Sequence, residues 1–197
     1  MLGMAFFKSL IKEHGKAYFE PIGKALVASG LKKPNPMNPM HAWALRSALV
    51  PYGKWRLGEA VTPRAHPEFP GIPDRLAAHA KYAAAGLQRS RLEISDVMTK
   101  HQLKLADRQC RMAELSQRVQ DLLVILATSV WAGHQSSELV QDAADILCQD
   151  LNRKLTGKRP TDAYYRAVTK LGEKIAEGGF EAISGLEAEP ILMSYSQ

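Results

Sequence analysis

The sequence predicts an all-α protein, in which an antiparallel helical bundle is preceded by a kinked helix and a proline-interrupted basic segment. Apolar residues recur at helical spacing through most of the 197 residues, whereas the alternating pattern of strands is almost absent. Prolines and glycines stand near the ends of the helical stretches, as expected at helix boundaries. A chain with 46% hydrophobic and 23% charged residues can bury a core without disulfides or metals.

The first 30 residues are predicted to form one terminal helix. Apolar side chains between residues 2 and 29 keep roughly to one face, and Gly30 suits a helix stop. Pro21 cannot donate a backbone hydrogen bond, so a kink or a split is expected near Tyr18.

Residues 31–73 are predicted to form a proline-rich linker segment with one helical stretch. Three prolines within residues 34–39 forbid a helix there, and four more between residues 63 and 73 predict a second loop that starts near Glu59. Between the two loops, apolar residues follow helical spacing from Met40 to Leu57. Pro51 is expected to end the first helical turns of that stretch near Val50.

Residues 74–197 are predicted to form the C-terminal helical bundle. A first helix begins at Asp74 with small apolar residues on one face, and Ser95 offers a restart. Apolar residues then recur every seven positions until Gly133, at Met98, Leu105, Met112, Val119 and Leu126. Ser137 and Thr161 are suited to cap two further helices, which end at Gly157 and at Gly178-Gly179.

The basic charge is confined to the front of the chain. Residues 1–70 contain ten Lys/Arg and four Asp/Glu, whereas the rest of the chain contains sixteen of each, so the net charge of +6 belongs to the front. Eight of the eleven prolines lie there as well. The front and the back are therefore expected to differ in their physical roles.

Several classes of function are excluded by what the sequence lacks. Two cysteines, Cys110 and Cys148, are too few for a disulfide-rich scaffold or a cysteine zinc cage. The six histidines are scattered without ligand spacing, so no metal site is expected. No run of apolar residues is long enough for a membrane span, and no leader peptide is recognisable at the start. No spacing of residues predicts a catalytic site.

The basic front admits a membrane interpretation. Indole and phenol rings lie at headgroup depth in membrane interfaces, and nearby lysines and arginines attract anionic lipid. The candidate membrane-contact residues are Lys32, Lys33, Trp43, Leu45, Leu49, Tyr52, Lys54, Trp55 and Arg56. The alternative is that these apolar residues pack on the bundle or on another subunit. No nucleic-acid partner is expected, because no recognisable binding module accompanies the basic residues.

The order of several short motifs resembles the C-terminal region of the very-long-chain acyl-CoA dehydrogenase family, the large flavoenzymes of fatty-acid β-oxidation. The resemblance extends over nearly all of the chain and rests on order and spacing together, since no single motif is diagnostic. The motifs are Phe6-Phe7-Lys8-Ser9-Leu10, His66-Pro67-Glu68, Asp121-Leu122-Leu123-Val124-Ile125-Leu126, Ala132-Gly133-His134, Cys148, Tyr164-Tyr165 and Ile175-Ala176-Glu177-Gly178-Gly179.

The resemblance implies a supporting role rather than a catalytic one. In the family, FAD is held by domains that lie largely upstream, and the catalytic glutamate belongs to a Glu-Gly-Thr-Asn stretch that this sequence lacks. No residue is therefore carried over as catalytic, and the chain alone is expected to hold no cofactor. The family's C-terminal domain supports the homodimer, and a proline-interrupted segment associated with membranes matches residues 32–64.

The expected function is thus that of the dimer-supporting and membrane-docking part of an FAD-dependent long-chain acyl-CoA dehydrogenase. The chain would be a fragment, a truncated product or one half of a split enzyme. Its partners would be a second copy or a dehydrogenase core, together with an anionic membrane surface. The expected location is the cytoplasm or the mitochondrial matrix, with peripheral attachment to a membrane. The alternative is a free-standing helical adaptor or scaffold that binds a protein partner.

Overall fold

A computed structural model describes residues 9, 11–31, 35, 37–62, 67–101 and 109–181. These residues form an all-α helical bundle without strands, which confirms the predicted fold class. Seven α-helices lie within the described ranges: α1 Glu20–Ser29, α2 Pro39–Ala44, α3 Arg46–Val61, α4 Asp74–His101, α5 Gln109–Gly133, α6 Glu138–Thr156 and α7 Asp162–Gly178.

Contacts divide the chain into two units. Unit 1 comprises Met1–Glu68 and Lys81–Leu126, and unit 2 comprises Phe69–Ala80 and Ala127–Gln197. Helices α4 and α5 each contribute residues to both units. The division of the sequence at residues 30 and 73 follows charge and proline content instead of packing, and it stays a prediction.

The interruption expected near Tyr18 is a π-helical turn over Gly15–Phe19. The backbone N–H of Glu20 donates to the carbonyl of Gly15, five residues back, where an α-helix would use the residue four back. Pro21 then occupies the first turn of α1, where its missing N–H costs least. The predicted stop is present too, because Gly30 ends α1 in the left-handed conformation at φ 66°.

The prediction that Pro51 ends a helix is wrong. Helix α3 begins at Arg46 and continues through Pro51 to Val61, so residues 59–61 are helical and not part of a loop. The break falls instead at Leu45, between α2 and α3. A proline in the second turn removes one hydrogen bond, and the buried contacts of Leu45 and Ala48 hold the helix in spite of that loss.

Most boundaries of the later helices agree with the sequence. Helix α4 begins at Asp74 as predicted, but it continues through Ser95 to His101, so the predicted restart at Ser95 is wrong. The Ser137 hydroxyl accepts a hydrogen bond from the N–H of Val140, and the Thr161 hydroxyl accepts one from the N–H of Tyr164. Gly157 and Gly178 lie at the predicted ends, while Leu105 of the heptad series lies outside the described residues.

The core of unit 2 is built largely from small side chains. One buried cluster comes from the segment before α4 and from helices α4, α5 and α6, and it contains Ile72, Leu76, Ala77, Ala132 and Ala144. Gly133 lies directly against the Ile72 side chain, where a β-carbon would clash. Small residues therefore let these helices approach closely.

Unit 1 builds its core from longer side chains. Leu115 and Val119 of α5 are buried against Leu87 and Val97 of α4. Ile11 packs on the same cluster, and it belongs to the helical stretch of residues 11–19, which ends in the π-helical turn and which we call the first helix. Helix α3 adds only Ala48 as a fully buried residue, so most of its contacts are made by half-buried side chains.

Candidate functional site

Helix α3 carries apolar side chains on two opposite sides, and only one side is covered by the protein. The covered side contains Ala48, with Tyr52 and Trp55 half-buried one and two turns further on. The opposite side contains Val50 and Leu57, which are exposed. An apolar stripe normally marks the side of a helix that faces a core, so a helix with two stripes has a second surface to account for.

The covered side of α3 belongs to an aromatic cluster formed by His14, Tyr18, Phe19, Tyr52 and Trp55. The Trp55 ring lies 4.9 Å from the His14 ring and 5.1 Å from the Tyr18 ring, measured between centroids. The Tyr52 ring lies 5.7 Å from the Phe19 ring. The π-helical turn supplies two of these rings, so the aromatic cluster attaches α3 to the first helix.

A polar anchor next to the aromatic cluster attaches α3 to α4. The Tyr52 hydroxyl lies 2.9 Å from the Ser95 hydroxyl and 3.0 Å from the Thr99 hydroxyl. Arg56 donates to the Asp96 carboxylate over 2.6 Å. Burial raises the pKa of Tyr52, but the hydrogen bonds outweigh burial and leave that pKa below its usual value. The hydrogen bond to Asp96 raises the pKa of Arg56.

His14 is the unsatisfied member of the aromatic cluster. Its Nε2 atom is buried and has no hydrogen-bond partner. Burial lowers the pKa of His14, and the positive charge of Arg91 lowers it further. Arg91 itself donates to Glu59 of α3 over 2.8 Å.

Several side chains of α2 and α3, mostly apolar, are exposed, and we call them together the outer face: Met40, Trp43, Val50, Lys54, Leu57 and Val61. Trp43 is 68% exposed, Leu57 67% and Val61 78%. Arg46 lies over the Trp43 ring at 4.1 Å from its centroid, a cation–π contact. No carboxylate in the described part of the chain pairs with Arg46 or Lys54.

The structure divides the residues predicted to contact a membrane. Trp43 and Lys54 lie on the outer face. The other described members of the set are covered by the protein's own helices or bonded to them: Leu45, Leu49, Tyr52, Trp55 and Arg56. Lys32 and Lys33 lie outside the described residues. The predicted set therefore selected mainly the covered side of α3, because that side holds the larger aromatic residues.

Sequence reasoning missed four members of the outer face: Met40, Val50, Leu57 and Val61. A signal for three of them was present, since Val50, Lys54, Leu57 and Val61 follow one another at spacings of four, three and four residues. Residues at these spacings share a side of a helix. Lys54, in the middle of this series, concealed its apolar character.

Unit 2 contains a polar cluster without the features of a catalytic site. His79 Nε2 lies 2.9 Å from an Asp145 oxygen, and Gln149 donates to the other oxygen over 2.9 Å. Burial raises the pKa of Asp145, and these hydrogen bonds more than offset that effect, so the pKa is lowered. Burial raises the pKa of the neighbouring Cys148, which keeps its thiol protonated and unreactive.

Two kinds of feature are absent from the described ranges. These ranges contain no group of three or more His, Cys, Asp or Glu side chains placed to hold a metal ion. None of their helices combines the length and the apolar composition that a membrane span requires. Comparison of the chain with protein-family models, with curated proteins and with solved structures finds no match.

Proposed function

We propose that this chain is the dimer-supporting and membrane-docking part of an FAD-dependent long-chain acyl-CoA dehydrogenase and does no chemistry itself. The observation that carries the docking role is the outer face. Exposed apolar side chains lie there beside two cations, Arg46 and Lys54, that have no carboxylate partner within the described ranges. The motif order carries the family assignment.

The chemistry of the outer face fits an anionic bilayer surface. Trp43, Leu57 and Val61 supply apolar area that would enter the headgroup region, and an exposed tryptophan is well suited to that depth. Arg46 and Lys54 would meet lipid phosphates, each contributing about 1 kcal/mol near an anionic surface. The basic excess of residues 1–70 acts in the same direction.

Lys54 also favours lipid over a second copy of the same helix. It lies in the middle of the apolar series of α3. A symmetric pairing of two outer faces would bring two lysines together without a neutralising group, which is costly. A phosphate headgroup neutralises the ammonium group, and the long side chain can reach it while its stem stays in apolar surroundings.

The dimer-supporting role is proposed from unit 2. Leu147 of α6 and Tyr165 and Val168 of α7 are exposed large hydrophobic side chains, and α7 has no fully buried residue. Such a surface suits contact with a dehydrogenase core or a second copy. In the parent family FAD supplies the oxidising chemistry, and the proposed location is the cytoplasm or mitochondrial matrix at a membrane surface.

The dehydrogenase assignment is tested by gentle purification of the tagged chain from its own cells. The visible spectrum and the masses of co-purifying proteins are then recorded. A flavin absorption band together with a dehydrogenase core subunit is the expected result. A colourless chain that purifies alone would contradict this part of the proposal.

The docking role is tested by sedimentation with phosphatidylglycerol vesicles. Trp43→Ala with Leu57→Ser removes two outer-face side chains, and binding is expected to fall sharply in that variant. Trp131→Ala with Val124→Ser is the matched control, because it removes an exposed tryptophan and an exposed aliphatic side chain that belong to neither proposed surface. Binding should also weaken at high salt. Equal binding by both variants would refute docking through the outer face.

The alternative function is that of an adaptor that binds a protein helix. The spacing of Val50, Leu57 and Val61 is also typical of a helix surface that packs against a partner helix. Purification with a protein partner and no flavin, lost in the Trp43→Ala/Leu57→Ser variant, would favour the adaptor over the dehydrogenase.

A further inference from the structure

The aromatic cluster contains a titratable ring that has no polar partner for its buried nitrogen. His14 contacts Tyr18, Phe19 and Trp55 through its ring, and the buried Nε2 atom faces no acceptor. A neutral imidazole can leave one nitrogen without a hydrogen. A protonated imidazole carries N–H groups on both nitrogens, so Nε2 would become a buried donor without an acceptor.

We infer that His14 is a pH-sensitive latch: the neutral ring holds α3 against the first helix, and protonation releases α3. This regulation rests on the proposed docking function, because it governs whether the covered side of α3, opposite the outer face, is also free to contact lipid. Release would uncover Tyr52 and Trp55, both of which have apolar rings suited to the headgroup region.

The charged surroundings of His14 oppose protonation. From α4, the positive charge of Arg91 acts on the ring, and the same guanidinium pairs with Glu59 of α3. From its own helix, Glu13 is paired with Lys16 at 3.6 Å. The titratable ring in direct contact with His14 is Tyr18, and Tyr52 contacts Tyr18 within the aromatic cluster.

The Arg56–Asp96 ion pair lies on the α3–α4 side of the cluster, next to the Tyr52 hydroxyl. None of these neighbours offers His14 an unpaired carboxylate that would stabilise its protonated form.

The local backbone also suits a release mechanism. The π-helical turn begins at Gly15, directly after His14, and π turns within α-helices often accompany functional positions. A β-carbon placed on Gly15 would lie 3.5 Å from the Met98 methyl group, which is an ordinary contact distance. A change of helical register over Gly15–Phe19 would move Tyr18 and Phe19 away from α3 together.

Trp55 fluorescence reports the latch in the absence of lipid. The chain has three tryptophans, so Trp43→Phe with Trp131→Phe leaves Trp55 as the sole emitter. Its emission is expected to change in a single transition whose midpoint lies below 6.5, the ordinary pKa of histidine. His14→Phe keeps an aromatic ring and should abolish the transition. His134→Gln changes an exposed histidine and should leave it unchanged.

Two further measurements distinguish a failure of the latch from a failure of the docking function. Circular dichroism should show that helix content is retained through the transition, since loss of helix in the same step would indicate general acid unfolding and overturn the latch. Vesicle binding by the chain with native tryptophans should rise as the pH falls through the transition, and constant binding would overturn the regulatory role. Absence of binding at neutral pH, with the fluorescence transition intact, would instead contradict the proposed docking function. A transition retained in His14→Phe overturns the latch outright.

Discussion

The core of unit 2 and the front of unit 1 are stabilised in different ways. In unit 2, small residues and Leu76 lie fully buried between helices, and one glycine is in direct contact with Ile72. In the front of unit 1, α3 buries one alanine completely and depends on half-buried rings and on hydroxyl hydrogen bonds. The difference indicates that unit 2 derives its stability from close packing, whereas α3 is attached by contacts that can be changed one at a time.

The largest expected effect is in the core of unit 2. Leu76→Ala removes a fully buried side chain, and we expect it to lower the free energy of unfolding by about 2–5 kcal/mol. Leu57→Ala is the matched control on the outer face, where 67% exposure predicts a change within about 0.5 kcal/mol. Urea denaturation measures both. Similar losses in the two variants would contradict the distinction between a packed core and an exposed surface.

A pair of glycine substitutions compares packing in the two units directly. A β-carbon at Gly133 would clash with the branched, stiff part of Ile72, so Gly133→Ala should cost about 1–3 kcal/mol. At Gly86 the close atoms are the methyl ends of Leu122, which can rotate away. The higher helix propensity of alanine, about 1 kcal/mol, should then make Gly86→Ala nearly neutral. Thermal melts measure the change in melting temperature of the two variants. Equal changes would show that the close approach of helices is not specific to unit 2.

The attachment of α3 to α4 predicts a smaller effect. Tyr52→Phe keeps the ring in the aromatic cluster and removes the hydroxyl that contacts Ser95 and Thr99. The expected loss is about 0.5–1.5 kcal/mol in the free energy of unfolding. Protection of the α3 amides from hydrogen exchange should fall as well, since α3 is held by few other polar contacts. Tyr165→Phe removes an exposed hydroxyl of unit 2 and is the control. An equal loss of stability in Tyr165→Phe would contradict the role given to the Tyr52 hydroxyl.

The smallest expected effect concerns pH and the ion pairs of unit 2. Burial raises the pKa of Asp142, but hydrogen bonds from Arg75 and Lys174 outweigh it and leave the pKa lowered. A carboxylate with a lowered folded-state pKa stabilises the protein above its ordinary pKa of 3.8, and this contribution is lost as the pH falls through the lowered value.

Asp142→Asn should therefore reduce stability at neutral pH by at most about 1 kcal/mol and flatten the acid limb of the stability profile. Glu173→Gln, at an exposed position of α7, is the control. An unchanged acid limb in Asp142→Asn would show that these ion pairs contribute nothing to the stability of unit 2.

The fold was predictable because helix ends carry local signals. Gly30, Ser137 and Gly157 act through their own backbone or side chain, so the sequence around them determines the boundary. Pro51 misled the prediction because its effect depends on tertiary contacts. One missing hydrogen bond is outweighed when neighbouring residues are buried, and burial is not a local property.

The candidate site was predictable only in part, for a related reason. Trp43 and Trp55 have the same chemistry, yet one is exposed and the other lies in the aromatic cluster. Which side of α3 is covered depends on Tyr18 and Phe19, which lie more than thirty residues before Tyr52 and Trp55 in the chain. Helical spacing identifies two apolar sides and cannot say which one a distant segment will occupy.

Pro51 has a consequence for the depth at which α3 could enter a bilayer. Because proline has no N–H, the Ser47 carbonyl lacks the donor that a helix would otherwise provide four residues later. Both residues are exposed on the same side of the helix as Lys54. A carbonyl without a partner requires water or a headgroup donor and is costly in hydrocarbon. For the proposed docking, this carbonyl favours a position of α3 at the boundary between lipid and water over one within the hydrocarbon.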